Sequence, residues 1–299
     1  MIFGFGKPKP VKEIEATGEI ERCYHEIKQT MRVSGVNLNF RTLADYADFF
    51  PVMWDAMKPV TETRRFETAG DEIRARAVRL AESLGGLDAL HENLCGESES
   101  YQIQAALDLY HYINPKLLVF TFVVRFALEC ESYAVHNEGY DPAKIVRGVP
   151  AKMFPLEMMP EKPDDEHLRE SFDEIIEIFD LSSINSDYRT LALWKDYLSA
   201  IWEKLKPLAQ SVEYERVANE LRDAGAEVAR RLPAPASLTK ERVKELGEDY
   251  DSIIKTLHEF ERLLAPLILN IALMSLDWKQ AEDLVHSPFP AEFLEEVNV

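Results

Sequence analysis

The sequence predicts an all-α protein made of two tandem helical repeats packed as a pseudo-dimer. Three observations carry this expectation. Apolar residues recur at spacings of three and four along most of the 299-residue chain, and no run alternates convincingly with period two. A shift of 148 positions lays Asn37, Arg41, Thr42, Leu43 and Ala44 on Asn185, Arg189, Thr190, Leu191 and Ala192. Between the two copies lies a segment rich in proline and glycine. The same shift puts Trp54 on Trp202, Lys58 and Pro59 on Lys206 and Pro207, and Glu67, Glu72 and Arg74 on Glu215, Glu220 and Arg222. Residues 34–80 hold about 13 identities in 47 gapless positions, where ordinary residue frequencies give roughly 3.

The elements follow in order. Residues 42–57 space Leu43, Tyr46, Phe50, Trp54 and Met57 as one apolar stripe, which predicts a single amphipathic helix. The second copy repeats it with Leu191, Trp194, Leu198, Ile201, Trp202 and Leu205. Pro59 and Pro207 are expected to stop these helices at equivalent points. Residues 66–80 and 214–232, rich in Glu, Arg and Ala, predict the second helices. Residues 105–129 predict a third long element, interrupted at Asn114 and Pro115, with residues 250–276 as its partner. Residues 136–165 carry Pro142, Pro150, Pro155, Pro160 and Pro163 with Gly139 and Gly148, the composition of an extended linker. The expected organisation is therefore a first repeat over 1–135, the linker over 136–165 and a second repeat over 166–299.

Composition narrows the function classes. An apolar content of 46% supports a substantial core. A formal net charge of −19 argues against nucleic acid, whose phosphates need clustered Lys and Arg, and against an anionic membrane surface. A small anionic ligand stays open, because a few local donors can overrule a distant field inside a cleft. Cys23, Cys95 and Cys130 are odd in number and lack CxxC spacing, which fits a reducing cytoplasm. No stretch near the start reads as a signal peptide. The apolar run at 117–128 holds Arg125 and is too short for a membrane span, which needs about 20 residues. His91 and Cys95 are one turn apart, but two ligands do not make a zinc site, and no metal is expected. GxGxxG, P-loop and GxSxG patterns are absent from the sequence.

The copies differ at one telling place: Asn39 in the first is Asp187 in the second. Asp187 either caps the helix expected to begin near Tyr188, with Asn39 capping its counterpart, or serves as a general base in the groove between repeats. A helix N-terminus facing that groove would also suit a carboxylate ligand. Asn114, before Pro115, either caps or holds a water or substrate oxygen, since an amide both donates and accepts. Arg41 and Arg189, present in both copies, either bind an anion or brace the contact between repeats.

Several of these stretches together resemble the group I (DehI-type) 2-haloacid dehalogenases, over roughly residues 15–291. The resemblance is carried by residues 27–33 (Ile27, Lys28, Gln29, Thr30, Met31, Arg32, Val33) and 112–118, which include Tyr112, Asn114, Pro115 and Lys116. It continues in Ser186 and Asp187 ahead of Leu191, Ala192 and Trp194, and ends in Ser287, Pro288, Phe289 and Pro290. It implies an all-helical fold of two pseudo-dimeric repeats similar to the AhpD-like proteins, whose peroxidase chemistry needs a CxxC that this chain lacks. It implies hydrolysis of 2-haloalkanoic acids of both hands with inversion, water attacking the α-carbon without a covalent ester and without a cofactor. Asp187 would be the base and Asn114 would hold the water. Ser186, Gly35, Leu38, Asn39, Tyr188, Phe260 and Leu264 would line the substrate. The chain departs from the family where Pro-Trp and a nearby aromatic are replaced by Ser34, Gly35 and Leu38, and where a small residue is replaced by Asn39. This predicts a more polar pocket wall and an altered substrate range. The alternatives are a small-acid-binding or scaffold protein of the same fold, and a hydrolase acting on a carboxylic acid with another leaving group. The expected partners are a small carboxylic acid and water; leftover apolar stripes leave room for a homodimer.

Overall fold

The computed structural model describes residues 8–90, 95–129, 143–155 and 157–294, and within them the chain is helical without a strand. The candidate pair His91–Cys95 and Cys130 fall wholly or partly outside these residues. The first half folds as α1 (Gly18–Met31), α2 (Leu38–Leu43), α3 (Phe49–Thr61), α4 (Arg64–Ser83) and α5 (Glu97–Leu128). The second folds as α6 (Glu166–Ile178), α7 (Ser186–Leu191), α8 (Lys195–Ala209), α9 (Val212–Ala229), α10 (Lys240–Glu245), α11 (Tyr250–Leu276) and α12 (Ala281–Leu284). Helices α1 to α4 recur as α6 to α9 at close to the sequence offset, and α5 and α11 end at equivalent residues, Leu128 and Leu276.

The long apolar helices dictate the centre. Helices α4, α5, α9 and α11 all pack on one another, while α1 pairs with α3 and α6 with α8 on the flanks. The flanking pairs are fastened alike. Trp54 Nε1 donates to Glu26 at 2.9 Å and Lys58 pairs with the same carboxylate at 3.0 Å. Trp202 Nε1 donates to Glu174 at 2.8 Å and Lys206 pairs with it at 2.7 Å. These bonds give a physical reason for the Trp and Lys identities. The two short helices cross over: α2 lies against α11 and α7 against α5, so each half lends its short helix to the other's long one.

Several expectations are corrected. The stripe over 42–57 is two helices, because the chain turns between Leu43 and Phe49. Tyr46 sits in that turn, where its hydroxyl bonds Ser252 at 2.8 Å and Thr256 at 2.9 Å on α11. Pro59 and Pro207 lie inside α3 and α8, each of which runs two residues further. Helix α5 is continuous through Pro115. A proline removes the N–H that would bond the carbonyl four residues back. Here that carbonyl, of His111, accepts instead from Arg74 Nε at 3.0 Å. The described part of the inter-repeat segment, from residue 143 to α6, contains no helix and runs over the surface. It touches Arg64, Glu62, Gln29, Arg189 and, near the far end of the chain, Glu292 and Leu294 through backbone hydrogen bonds.

Candidate active site

Asp187 is the second residue of α7, and the cap position belongs to Asn185, which makes no side-chain capping bond. Asn39 is likewise the second residue of α2, behind Asn37. The capping explanation of both residues is therefore overturned. Asp187's only backbone hydrogen bond comes from its own N–H. Asn114 is no cap either, since it sits deep within α5, 2% exposed.

The crossing of α7 over α5 brings the two candidates together. Asn114 Nδ2 donates to Asp187 Oδ1 at 2.7 Å, and Ser186 Oγ lies 3.4 Å from the other carboxylate oxygen. Asp187 is 2% exposed. Burial pushes its pKa up to about 7, opposed by the bonds from Asn114, its own backbone and Ser186. No cation lines its cavity to hold the value down.

That cavity measures about 40 Å³ and gathers Leu38, Asn39, Asn114, Ser186, Phe260 and Leu264 around the carboxylate. It therefore joins both short helices to both long ones. It has room for one to a few waters and not for a haloacid as well. A second cavity, of about 230 Å³, adjoins it through Asn37, Leu38 and Ser186 and is walled by Gly35, Arg41, Tyr110 and Met158. A third and larger cavity, about 460 Å³, adjoins the other side through Asn185, Leu263 and Leu267. Tyr188 belongs to that third space rather than to the Asp187 cavity. Its hydroxyl accepts from Asn270 Nδ2 at 2.7 Å, and Tyr214 donates to the same amide's Oδ1 at 2.6 Å. Tyr188, expected to line the substrate, is therefore apart from Asp187's cavity: one residue along a helix turns a side chain by about 100°.

Two side chains that line the cavity each carry a polar atom without a partner. Asn39 Nδ2 and Asn37 Oδ1 are sealed from bulk solvent without a hydrogen bond, a state that costs about 1–3 kcal/mol unless a ligand or water completes it. Sequence reasoning missed Asn37, Asn185 and Tyr110. The first two were within reach, because they are identical in both copies. Tyr110, whose hydroxyl bonds Thr190 at 2.8 Å, carried no signal. Among the described residues no group of three or more His, Cys, Asp or Glu side chains could hold a metal, and no helix is long and apolar enough to cross a membrane.

Comparison with known proteins agrees with this architecture. Residues 34–135 match the family described as halocarboxylic acid dehydrogenase DehI. An (R)-2-haloacid dehalogenase of Pseudomonas putida is 28% identical over 275 residues, covering 88% of this chain and 90% of that protein. A configuration-inverting 2-haloacid dehalogenase of Pseudomonas sp. (strain 113) is 26% identical over 289 residues, 92% of each. Among solved structures, a D-2-haloacid dehalogenase mutant in complex with D-2-CPA superposes with a TM-score of 0.79 at 25% identity, covering 91% of this chain and 98% of that one. A D-2-haloacid dehalogenase in complex with L-LA gives 0.77 at 26% identity, covering 90% of this chain and 95% of that one.

Proposed function

We propose that this chain, a relative of the DehI-type 2-haloacid dehalogenases along nearly its whole length, hydrolyses 2-haloalkanoic acids to 2-hydroxy acids with inversion at the α-carbon. The observation that carries the mechanism is the buried Asp187 carboxylate, bonded to Asn114 and opening on a cavity of water size. A carboxylate accepts only, so Asn114 must turn its amide N–H toward Asp187 and keep its carbonyl oxygen for a water proton. Asp187 takes one proton from that water as its oxygen attacks the α-carbon. The carbon–halogen bond breaks opposite the new carbon–oxygen bond, and halide leaves with the electron pair. The products are one hydroxy acid, one halide and one proton, and the inversion follows from in-line displacement. A base with a pKa near 7 suits this step at neutral pH. The carbon skeleton and halogen occupy the 230 Å³ cavity, within which Gly35 and Leu38 leave width.

The three cysteines without CxxC spacing fit a cytoplasmic setting. A scaffold role is disfavoured, because Asp187 is not consumed by capping bonds.

The test is halide release from each enantiomer of 2-chloropropionate and 2-bromopropionate, with Asp187→Asn alongside. The wild type is expected to release halide and give the inverted hydroxy acid. Asp187→Asn is expected to lose activity by roughly 10³-fold or more, as for removal of an essential base, while keeping its helical content. Equal rates in the two proteins would overturn the assignment.

A further inference from the structure

We infer that Arg41 is the carboxylate anchor of the substrate, a role that rests on the dehalogenase reading. A 2-haloacid is an anion at neutral pH and this chain carries a net charge of −19, so local donors have to hold the substrate against the general field, and a cation is the strongest of them. Asp187's cavity supplies none. The adjoining 230 Å³ cavity, which shares Leu38 and Ser186 with it, is lined by one cationic side chain, Arg41.

Arg41 is half-buried and, among the described residues, its guanidinium makes no hydrogen bond or ion pair. Its Nε is buried without an acceptor, a state that costs free energy. The one carboxylate on the same wall is already engaged: Glu13 pairs with Lys28 at 2.9 Å and accepts from Val36 N at 2.7 Å. The backbone of Arg41 is fixed, since its carbonyl accepts from Val11 N at 2.9 Å.

The second half provides the control. Arg189 occupies the matching position on α7, yet its Nε donates to the Met159 carbonyl at 2.7 Å and its guanidinium lies 3.6 Å from Glu161. One arginine of the pair braces the inter-repeat segment and the other is unspent. The unspent one stands two residues beyond Asn39, which shares the Asp187 cavity. The fork of a guanidinium matches a carboxylate in two parallel bonds. Holding the acid end there would turn the α-carbon toward the side of the cavity that shares Leu38 and Ser186 with the Asp187 cavity.

The experiment measures binding and turnover together. Calorimetry with both enantiomers of 2-chloropropionate is run on Asp187→Asn and on the same protein carrying Arg41→Gln, Arg41→Lys or Arg222→Gln. Arg222 lines the 460 Å³ cavity and controls for that alternative location. Halide release from the acid and from uncharged 2-chloropropionamide is measured for the same arginine variants with Asp187 intact. Arg41→Gln is expected to weaken acid binding by roughly 30-fold or more, with Arg41→Lys losing less and Arg222→Gln unchanged. The cost in turnover should fall on KM for the acid and leave the amide indifferent. Normal acid binding in Arg41→Gln with wild-type turnover would overturn the anchor and leave the dehalogenase reading standing. Loss in Arg222→Gln instead would move the acid to the larger cavity, which also overturns it. Should Arg41→Gln fail to fold, the comparison of Arg41→Lys with Arg222→Gln decides. If wild type releases no halide and Asp187→Asn binds no haloacid, both readings fall.

Discussion

Helices α2 and α7 are the same six-residue element, each crossing the long helix of the opposite half, yet they have become chemically opposite. On α7 the second residue is a buried carboxylate held by Asn114, and the arginine two places on is spent on structure. On α2 the second residue is a neutral amide with a spare donor, and the arginine two places on is unspent. The Glu–Trp–Lys fastening, which holds each flank in shape, is kept on both sides. The two halves share one helical plan, and they differ at the residues around the Asp187 cavity.

The same contrast appears beneath the site. In the first half Glu67 is buried and paired with Lys116 at 2.5 Å, and Lys116 Nζ donates a second bond to the Tyr112 hydroxyl at 3.0 Å. In the second half the matching residues are an exposed Glu215 and an apolar Leu264. Gly70 belongs to this arrangement, since a Cβ there would lie 2.7 Å from Lys116 Cγ. Glu67→Gln strands a buried ammonium and should destabilise the protein by about 3–5 kcal/mol. Glu215→Gln should stay within about 0.5 kcal/mol. Chemical unfolding of the two variants checks the difference, and equal effects would break the comparison.

Asp187→Asn makes α2 and α7 alike at their second residue. The folded carboxyl titrates near 7 against an ordinary value of 3.8. Between those values the folded state keeps a proton that the unfolded state has lost, so stability falls as pH rises, and the full cost is present above about 7. At ~1.4 kcal/mol per unit of pKa this cost is roughly 4 kcal/mol. The variant should therefore melt several degrees higher than wild type at pH 8, with the gap shrinking as pH is lowered toward 4. A variant that melts lower than wild type at pH 8 would remove the functional reason for the buried charge. The smallest effect comes from Asn39→Asp, which puts a second carboxylate on the same cavity. Like charges resist joint ionisation, so the midpoint of the rising pH–rate profile should move up from near 7 by about one unit. An unmoved midpoint would mean that the two side chains do not share one space.

Much of this was legible before the fold. The 3.6-residue periodicity and the offset between halves placed the main helices. The exchange of Asn39 for Asp187 pointed to the residue that stands in the cavity. The pairing of Asp187 with Asn114 came only through the family resemblance, because nothing in local spacing says that α7 lies across α5. The turn at Tyr46 was hidden because its apolar spacing continues through it, and tertiary hydroxyl bonds decide the break. The continuity of α5 through Pro115 depends on Arg74, far away in sequence. Arg41 and Arg189 could not be told apart from sequence, since they are identical and differ only in what surrounds them.

The central claim is that Asp187 activates water and does not itself attack carbon. A single turnover with enzyme in excess over 2-chloropropionate, run in water enriched in oxygen-18, tests it directly. Direct attack by water predicts that the first hydroxy acid released carries the heavy oxygen and that the Asp187 carboxylate stays unlabelled. An unlabelled first product, followed by heavy oxygen in Asp187 after further turnovers, would show a covalent ester and contradict the account.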